Sequence, residues 1–174
     1  MKYVALLRGV NVGGNRTVPM RELRQIFEDM GFTDVTTYIN SGNVIFSSAS
    51  KPITTEIGQH MAAHFGFTID MIVLSQAELA PVVQAIPHEW TNDTEQKSDV
   101  AFLFADVDSP DIVQSIGYRP DVETMRYVPG ALVMNISRKN QSKGSLLRIT
   151  GTPLYRRMTI RNVTTTRKLA ELIK

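Results

Sequence analysis

The segment Arg8-Gly9-Val10-Asn11-Val12-Gly13-Gly14-Asn15-Arg16 gathers two guanidinium groups, two amide side chains and three glycines in one short stretch. Glycine lets backbone N–H groups turn towards a bound group, and successive amides of this kind near a helix start form a concave receptor for an anion. Arginine adds a planar fork that matches phosphate or carboxylate. A second polar cluster, Asn40-Ser41-Gly42-Asn43, carries amide and hydroxyl groups suited to orienting the remainder of a ligand. Taken singly, each stretch also has a conformational reading: Gly13-Gly14 turns the chain, and Asn40-Ser41-Gly42 closes a hairpin. The functional reading needs a fold that brings the two together.

The elements around these segments follow from periodicity. Lys2 to Arg8 reads as a short buried strand. Met20, Leu23, Ile26, Phe27 and Met30 recur at helical spacing after Pro19, and Gly31 is a natural stop. Val35–Ile39 and Asn43–Ser47 form a hairpin, a helix over about 53–65 ends at Gly66, and Thr68–Leu74 is a strand. The order β-α-β-β-α-β is that of a split βαβ, ferredoxin-like unit. Ser75 with Glu78 forms a capping box for a connecting helix to about Ile86, and the polar stretch Pro87–Lys97 is the candidate boundary.

The order of elements then begins again. Asp99–Ala105 is a strand, Asp108 or Ser109 caps a helix begun by Pro110, and Val122–Val128 pairs with Ala131–Ser137 across Pro129-Gly130. A broken helical stretch over about 142–157, a strand Met158–Arg161 and a helix Thr165–Ile173 complete the chain. The expected fold class is α+β: two ferredoxin-like halves with antiparallel sheets, the second less regular, over residues 1–86 and 98–174.

Chain direction supplies the functional inference. In a split βαβ unit the first and second strands run parallel with the third between them, so the Gly9–Arg16 loop and the Asn40–Asn43 turn are expected at one end of the sheet. The start of the first helix and the end of the fourth strand, near Ser75, are expected there too. Arg8, Gly9, Asn11, Gly13, Gly14, Asn40, Ser41 and Asn43 thus form a candidate site for a phosphate-containing or other anionic small molecule.

Composition narrows the classes. The chain of 174 residues is 43% hydrophobic and lacks cysteine, which excludes disulfides, cysteine-ligated metals and a cysteine nucleophile. Its longest apolar runs, such as Val100–Ala105, cannot cross a bilayer, and MKYVALLRG has no export-signal pattern, so a cytoplasmic protein without membrane partners is expected. Charge is segregated: residues 137–174 hold ten Lys and Arg against Glu171 alone, a formal +9 that leaves −7 on residues 1–136. That segment suits either a phosphate backbone or docking on the protein's own acids.

Other constellations fall short. His60 and His64 have metal-chelating spacing but no evident third ligand, so no metal and no cofactor is expected. Asp106, Asp108 and Asp111 read as helix-start acids, and GVNVGG lacks the second glycine of a dinucleotide fingerprint. Tyr3 and Phe46 are expected in the core rather than stacked on bases. No catalytic acid, base or nucleophile stands out, and the sequence leaves open whether the protein is an enzyme.

RGVNVGGN (8–15), GFTDVTTYINSGNVIF (31–46), Ser142-Lys143 and Thr159-Ile160-Arg161-Asn162 together resemble the bacterial domain-of-unknown-function 1697 family. The resemblance implies a shared fold and names no reaction. It also implies that Lys143, Arg161 and Asn162 belong with the amino-terminal site, Arg161 pairing with Arg8 on the ligand's charge. The family's usual Arg-Asn-Trp-Asn-Thr run is broken here by Val163 and Thr164. The leading expectation is therefore an anion-binding protein. Its alternatives are nucleic-acid binding through residues 137–174, or a protein-interaction module on a sheet edge.

Overall fold

A computed structural model of the chain describes residues 1–14 and 17–174. Two compact units emerge: Met1–Ala77 with Leu169–Lys174, and Glu78–Lys168. The division falls inside the helix that the sequence assigns to residues 1–86. The last residues return to the first unit, where Lys2 Nζ donates to the Lys174 carbonyl at 2.7 Å. A cut made at one linker cannot foresee a chain end that folds back.

The first unit runs β1 (Lys2–Leu7), α1 (Met20–Asp29), β2 (Thr33–Thr37), β3 (Asn43–Ser47), α2 (Thr54–Phe65) and β4 (Met71–Ser75). Its antiparallel sheet has the order β2-β3-β1-β4. On α1 the buried positions Leu23, Ile26 and Phe27 form one stripe. The helix ends in a Schellman motif, with Phe32 N–H bonded to the Phe27 carbonyl and Gly31 N–H to the Glu28 carbonyl. The Phe27 and Phe32 rings close it, 5.8 Å apart. Tyr3 and Phe46, cross-strand partners stacked at 5.8 Å, are buried in the same core. That burial satisfies their apolar rings and leaves no aromatic platform at these positions.

Glu78–Lys168 repeats the plan with β5 (Gln96–Leu103), α4 (Ile112–Ser115), β6 (Glu123–Val128), β7 (Ala131–Ser137) and β8 (Met158–Asn162) in the order β6-β7-β5-β8. Both halves are ferredoxin-like. In place of a second long crossover helix stand a 3-10 turn at Arg138–Lys143, the four-residue α5 (Ser145–Arg148) and a 3-10 turn at Tyr155–Arg157. The helix α3 (Gln76–Gln84) precedes β5, and α6 (Val163–Leu172) follows β8. Among the described residues no helix is long and apolar enough to cross a membrane.

Three local expectations need correction. Asp108 caps no helix: α4 starts after Asp111 without a side-chain cap, and Asp108 Oδ1 instead accepts the Tyr127 hydroxyl at 2.9 Å and the Gly130 N–H at 2.8 Å. The hairpin turn offers that carboxylate better donors than a one-turn helix can. The candidate boundary at 87–97 lies within the second unit, since the division falls between Ala77 and Glu78. Arg138 Nε holds the Asp93 carbonyl at 2.8 Å, while Arg167 holds the Trp90 and Pro87 carbonyls at 2.8 and 2.9 Å. Finally, β5 opens at Gln96 rather than Asp99, because the Asp93 carboxylate takes the Glu95 and Gln96 N–H groups and turns the chain into the strand. Asp108→Ala is expected to lower unfolding stability by about 1–2 kcal/mol through loss of both turn contacts, read as a shift in denaturant midpoint at constant m.

Candidate functional site

β1 ends at the loop, and its register fixes what lies beside it. Leu6 pairs with Asn43 on β3, and Leu7 pairs with Met71 on β4. Leu7 N–H then bonds to the Gly42 carbonyl at 2.8 Å, and Arg8 N–H to the Asp70 carbonyl at 2.8 Å. The loop after β1 and the β2–β3 turn therefore share one rim, with the start of β4. The end of β4 does not: Ser75 pairs with Tyr3 at the opposite edge, since β4 runs antiparallel to β1. The expectation for Ser75 is thus reversed, and Asp70 takes its place.

Asn11 is the hinge pin of this rim. Its Nδ2 donates to the Val18 carbonyl and to the Asn40 carbonyl, each at 2.9 Å, and its Oδ1 accepts the Val18 N–H at 2.8 Å. One side chain thereby closes the glycine loop at its far end and clamps it to the hairpin turn. Asn11 itself sits at φ +55, in the left-handed region that asparagine tolerates better than most residues. Asn15 and Arg16 lie outside the described residues.

Asn43 has a similar internal duty. It is fully buried, and its Nδ2 donates to the Tyr38 carbonyl at 2.9 Å and to Ser41 Oγ at 3.0 Å. Its amide hydrogens shape the turn from within. Asn40 is exposed, and Ser41 and Arg8 are half-buried. Gly13 and Gly14 are exposed at φ +67 and +78, and no hydrogen bond to a described residue engages their amides.

Sequence reasoning missed two apolar residues at this rim. Val12 is 70% exposed and Ile39 is 50% exposed. Ile39 also holds φ +51, a region where a β-branched side chain crowds its own backbone. Strain of this kind costs about 1–3 kcal/mol and collects at ligand clamps and switches. No sequence signal marks it, because backbone strain is set by the turn and not by residue type.

Lys143, Arg161 and Asn162 all fall in the second unit. Lys143 is exposed at the end of a 3-10 turn. Asn162 Oδ1 accepts the Thr165 N–H at 2.7 Å, which makes it a helix N-cap for α6. Arg161 is 7% exposed on β8, with Nη1 donating to Thr159 Oγ1 at 3.0 Å and to the Ile160 carbonyl at 2.8 Å. Burial lowers its guanidinium to about 10, so it stays charged at neutral pH.

A family model described as a protein of unknown function, DUF1697, matches residues 1–132. The chain belongs to that family. The matched span takes in the whole described rim of this DUF1697 chain, from Arg8 to Asp70. Over 99% of its length the chain is also similar to a solved structure, the conserved bacterial protein SP0830 from Streptococcus pneumoniae. There the TM-score is 0.81, the identity 29%, and 98% of that protein is covered. Comparison with curated proteins gives no match.

The histidine pair is put to other uses: His60 Nδ1 lies 3.0 Å from the Glu56 carbonyl, and His64 Nε2 lies 2.9 Å from Glu22 Oε2. Part of the basic segment is engaged inside the second unit. Arg157 grips Asp106 with Nε and Nη2, at 2.8 and 2.6 Å, and this hydrogen-bonded guanidinium holds the Asp106 carboxyl below the usual carboxylate range.

Two predictions follow from these contacts. A Cβ at Gly42, which has φ +74, would lie 2.5 Å from Val10 Cγ2 and 2.8 Å from Leu7 Cβ. Gly42→Ala is therefore expected to cost about 2 kcal/mol or more, while Ile39→Gly gains about 1 kcal/mol by releasing strain. Chemical denaturation of both variants separates the two signs. Because the folded Asp106 carboxyl is depressed, the pair's contribution is present above the unfolded value of about 3.9 and fades as pH falls through the folded one. Carboxyl NMR of Arg157→Ala is expected to show Asp106 titrating nearer that unfolded value.

Proposed function

We propose that the protein binds an anionic small molecule, above all a phosphate-bearing one, at the loop-end rim of the first sheet. The observation that carries this reading is the clamp made by Asn11, which holds an exposed glycine loop against the hairpin turn before any ligand arrives. Fixing Asn11 and Val18 against the hairpin turn during folding removes part of the ordering cost from binding. Gly13 and Gly14, both exposed, contribute backbone amides, and Arg8 contributes charge. Asn40 and Ser41 orient the less charged part of the ligand. Asn43 acts from inside the turn, as a support rather than a contact.

Val12 and Ile39 give this rim an apolar flank, so a ligand with both a charged group and an apolar body suits it better than a bare ion. The chemistry that such preset donors perform is electrostatic stabilisation of negative charge. A cytoplasmic location accompanies this reading. Lys143, Arg161 and Asn162 are not needed for it, since the rim is complete within the first unit. Nucleic-acid binding through residues 137–174 draws less support, because Arg138, Arg157 and Arg167 are all hydrogen-bonded to groups of their own unit.

Thermal denaturation against a panel of nucleotides, sugar phosphates and inorganic phosphate tests the proposal. A specific ligand at a hundred times its dissociation constant is expected to stabilise the protein by about 2.7 kcal/mol, and Arg8→Gln to weaken that ligand about tenfold. Absence of stabilisation by every member of the panel overturns the reading. Tight binding of duplex DNA that falls by about a thousandfold or more between 50 and 200 mM salt would favour the basic segment instead.

A further inference from the structure

We infer that a groove in the second unit is a binding site for a free α-amino acid with an apolar side chain. The starting point is a break in the pattern of β5, the strand that lies between β7 and β8. Side chains on one face of a strand recur every second residue. Ala101 and Leu103 are on the face of β5 that packs into the apolar core with Leu132, Met134 and Met158. By the same alternation, Lys97 and Asp99 occupy that core-side face. Lys97 Nζ lies 3.2 Å from Asp99 Oδ2, and the Asp99 side chain is only 14% exposed.

The pair encloses Asp99 but leaves the Lys97 side chain 44% exposed, and an ion pair open to water on one side adds little net stability. Its presence is better explained by what it faces. Both residues line a cavity of about 330 Å³ whose apolar walls are Leu146, Leu147, Tyr155 and Ile160. That volume lies within the usual range for small-ligand sites, roughly 300–1,000 Å³. Leu147 is 56% exposed, an uncovered apolar wall.

The chemistry of the lining selects the ligand. A simple anion drawn to Lys97 is repelled by Asp99, and a simple cation meets the reverse. A molecule carrying both charges close together satisfies both: its carboxylate pairs with Lys97 and its ammonium with Asp99. Asn162 also lines the cavity, and with its Oδ1 held by the Thr165 N–H its amide NH2 can donate to the carboxylate. The leucines and Tyr155 then take the side chain. An adjoining hollow of about 50 Å³ contains Glu123, whose carboxylate is committed to the Ser145 N–H at 3.1 Å and to the Ser145 hydroxyl. That commitment leaves Asp99 as the carboxylate that meets an ammonium group. This site shares no residue with the rim of the first sheet, so either proposal can fail alone.

The experiment is titration of the 15N-labelled full chain with L-leucine and L-phenylalanine, followed by backbone amide shifts. Saturable shifts centred on Leu146, Leu147 and Asn162 are expected. The N-acetyl derivative and the carboxamide of the same amino acid, each lacking one charge, are expected to bind about tenfold more weakly, as is L-phenylalanine to Asp99→Asn and Lys97→Gln. Absence of saturable shifts in the wild-type protein overturns the proposal. So does saturation centred elsewhere, or affinity that survives removal of either ligand charge. The ligand-analogue arm uses only the wild-type chain, so it decides the question even if a variant fails to fold.

Discussion

The hydrogen bond from the Leu7 amide to the Gly42 carbonyl is the constraint on which the first unit's rim depends. It joins the last residue of a buried strand to the tip of a hairpin, and the next amide, that of Arg8, joins the same point to the start of β4. The second unit repeats both ties. Leu103 N–H bonds to the Gly130 carbonyl at 2.9 Å, and Phe104 N–H to the Arg157 carbonyl at 3.1 Å. Each bond is worth only about 1 kcal/mol. Their leverage is geometric, because a one-residue slip of either hairpin would turn its buried face outward. The ties therefore extend the sheet register into the loops.

From this common frame the two units diverge by the side chain that locks each turn. In the first, the neutral amide of Asn11 donates to the Asn40 carbonyl. In the second, the Asp108 carboxylate accepts the Gly130 N–H. The first choice places an uncharged amide at the turn; the second places a negative charge at the equivalent turn. Duplicated topology thus carries a different polarity at the locking residue of each turn.

Much of this was legible in the sequence because periodicity and turn chemistry are local. The stripe on α1, the glycine after it, and the two hairpins follow from residues within a few positions of one another. The meeting of the loop after β1 with the β2–β3 turn, through Leu7 and Asn11, also follows, since strand direction in a split βαβ unit leaves little choice. Ser75 lies at the far edge by that same rule, because β4 runs antiparallel to β1. Asp108 failed because a long-range acceptor role overrode a local capping signal. The strained Ile39 and the charged face of β5 were illegible for another reason. One is a backbone state, and the other depends on β5 beginning at Gln96, so that Lys97 is a strand residue on the same face as Asp99.

Those last two features have a shared logic. A β-branched residue in the left-handed region and an ion pair on a core-side strand face are both departures from local consistency, which folding alone does not reward. Each unit tolerates its departure because the surrounding core is ample: Val35, Val44 and Phe46 are buried in the sheet on which the Ile39 turn stands, and Ala101, Leu132 and Met134 are buried around the charged pair. Had either feature arisen without use, substitution to glycine at 39, or to an apolar residue at the largely enclosed position 99, would have offered an easy gain in stability. That the departures lie where the clamp made by Asn11 meets a turn, and where a cavity of mixed polar and apolar lining meets two opposite charges, is the physical ground for reading both places as sites.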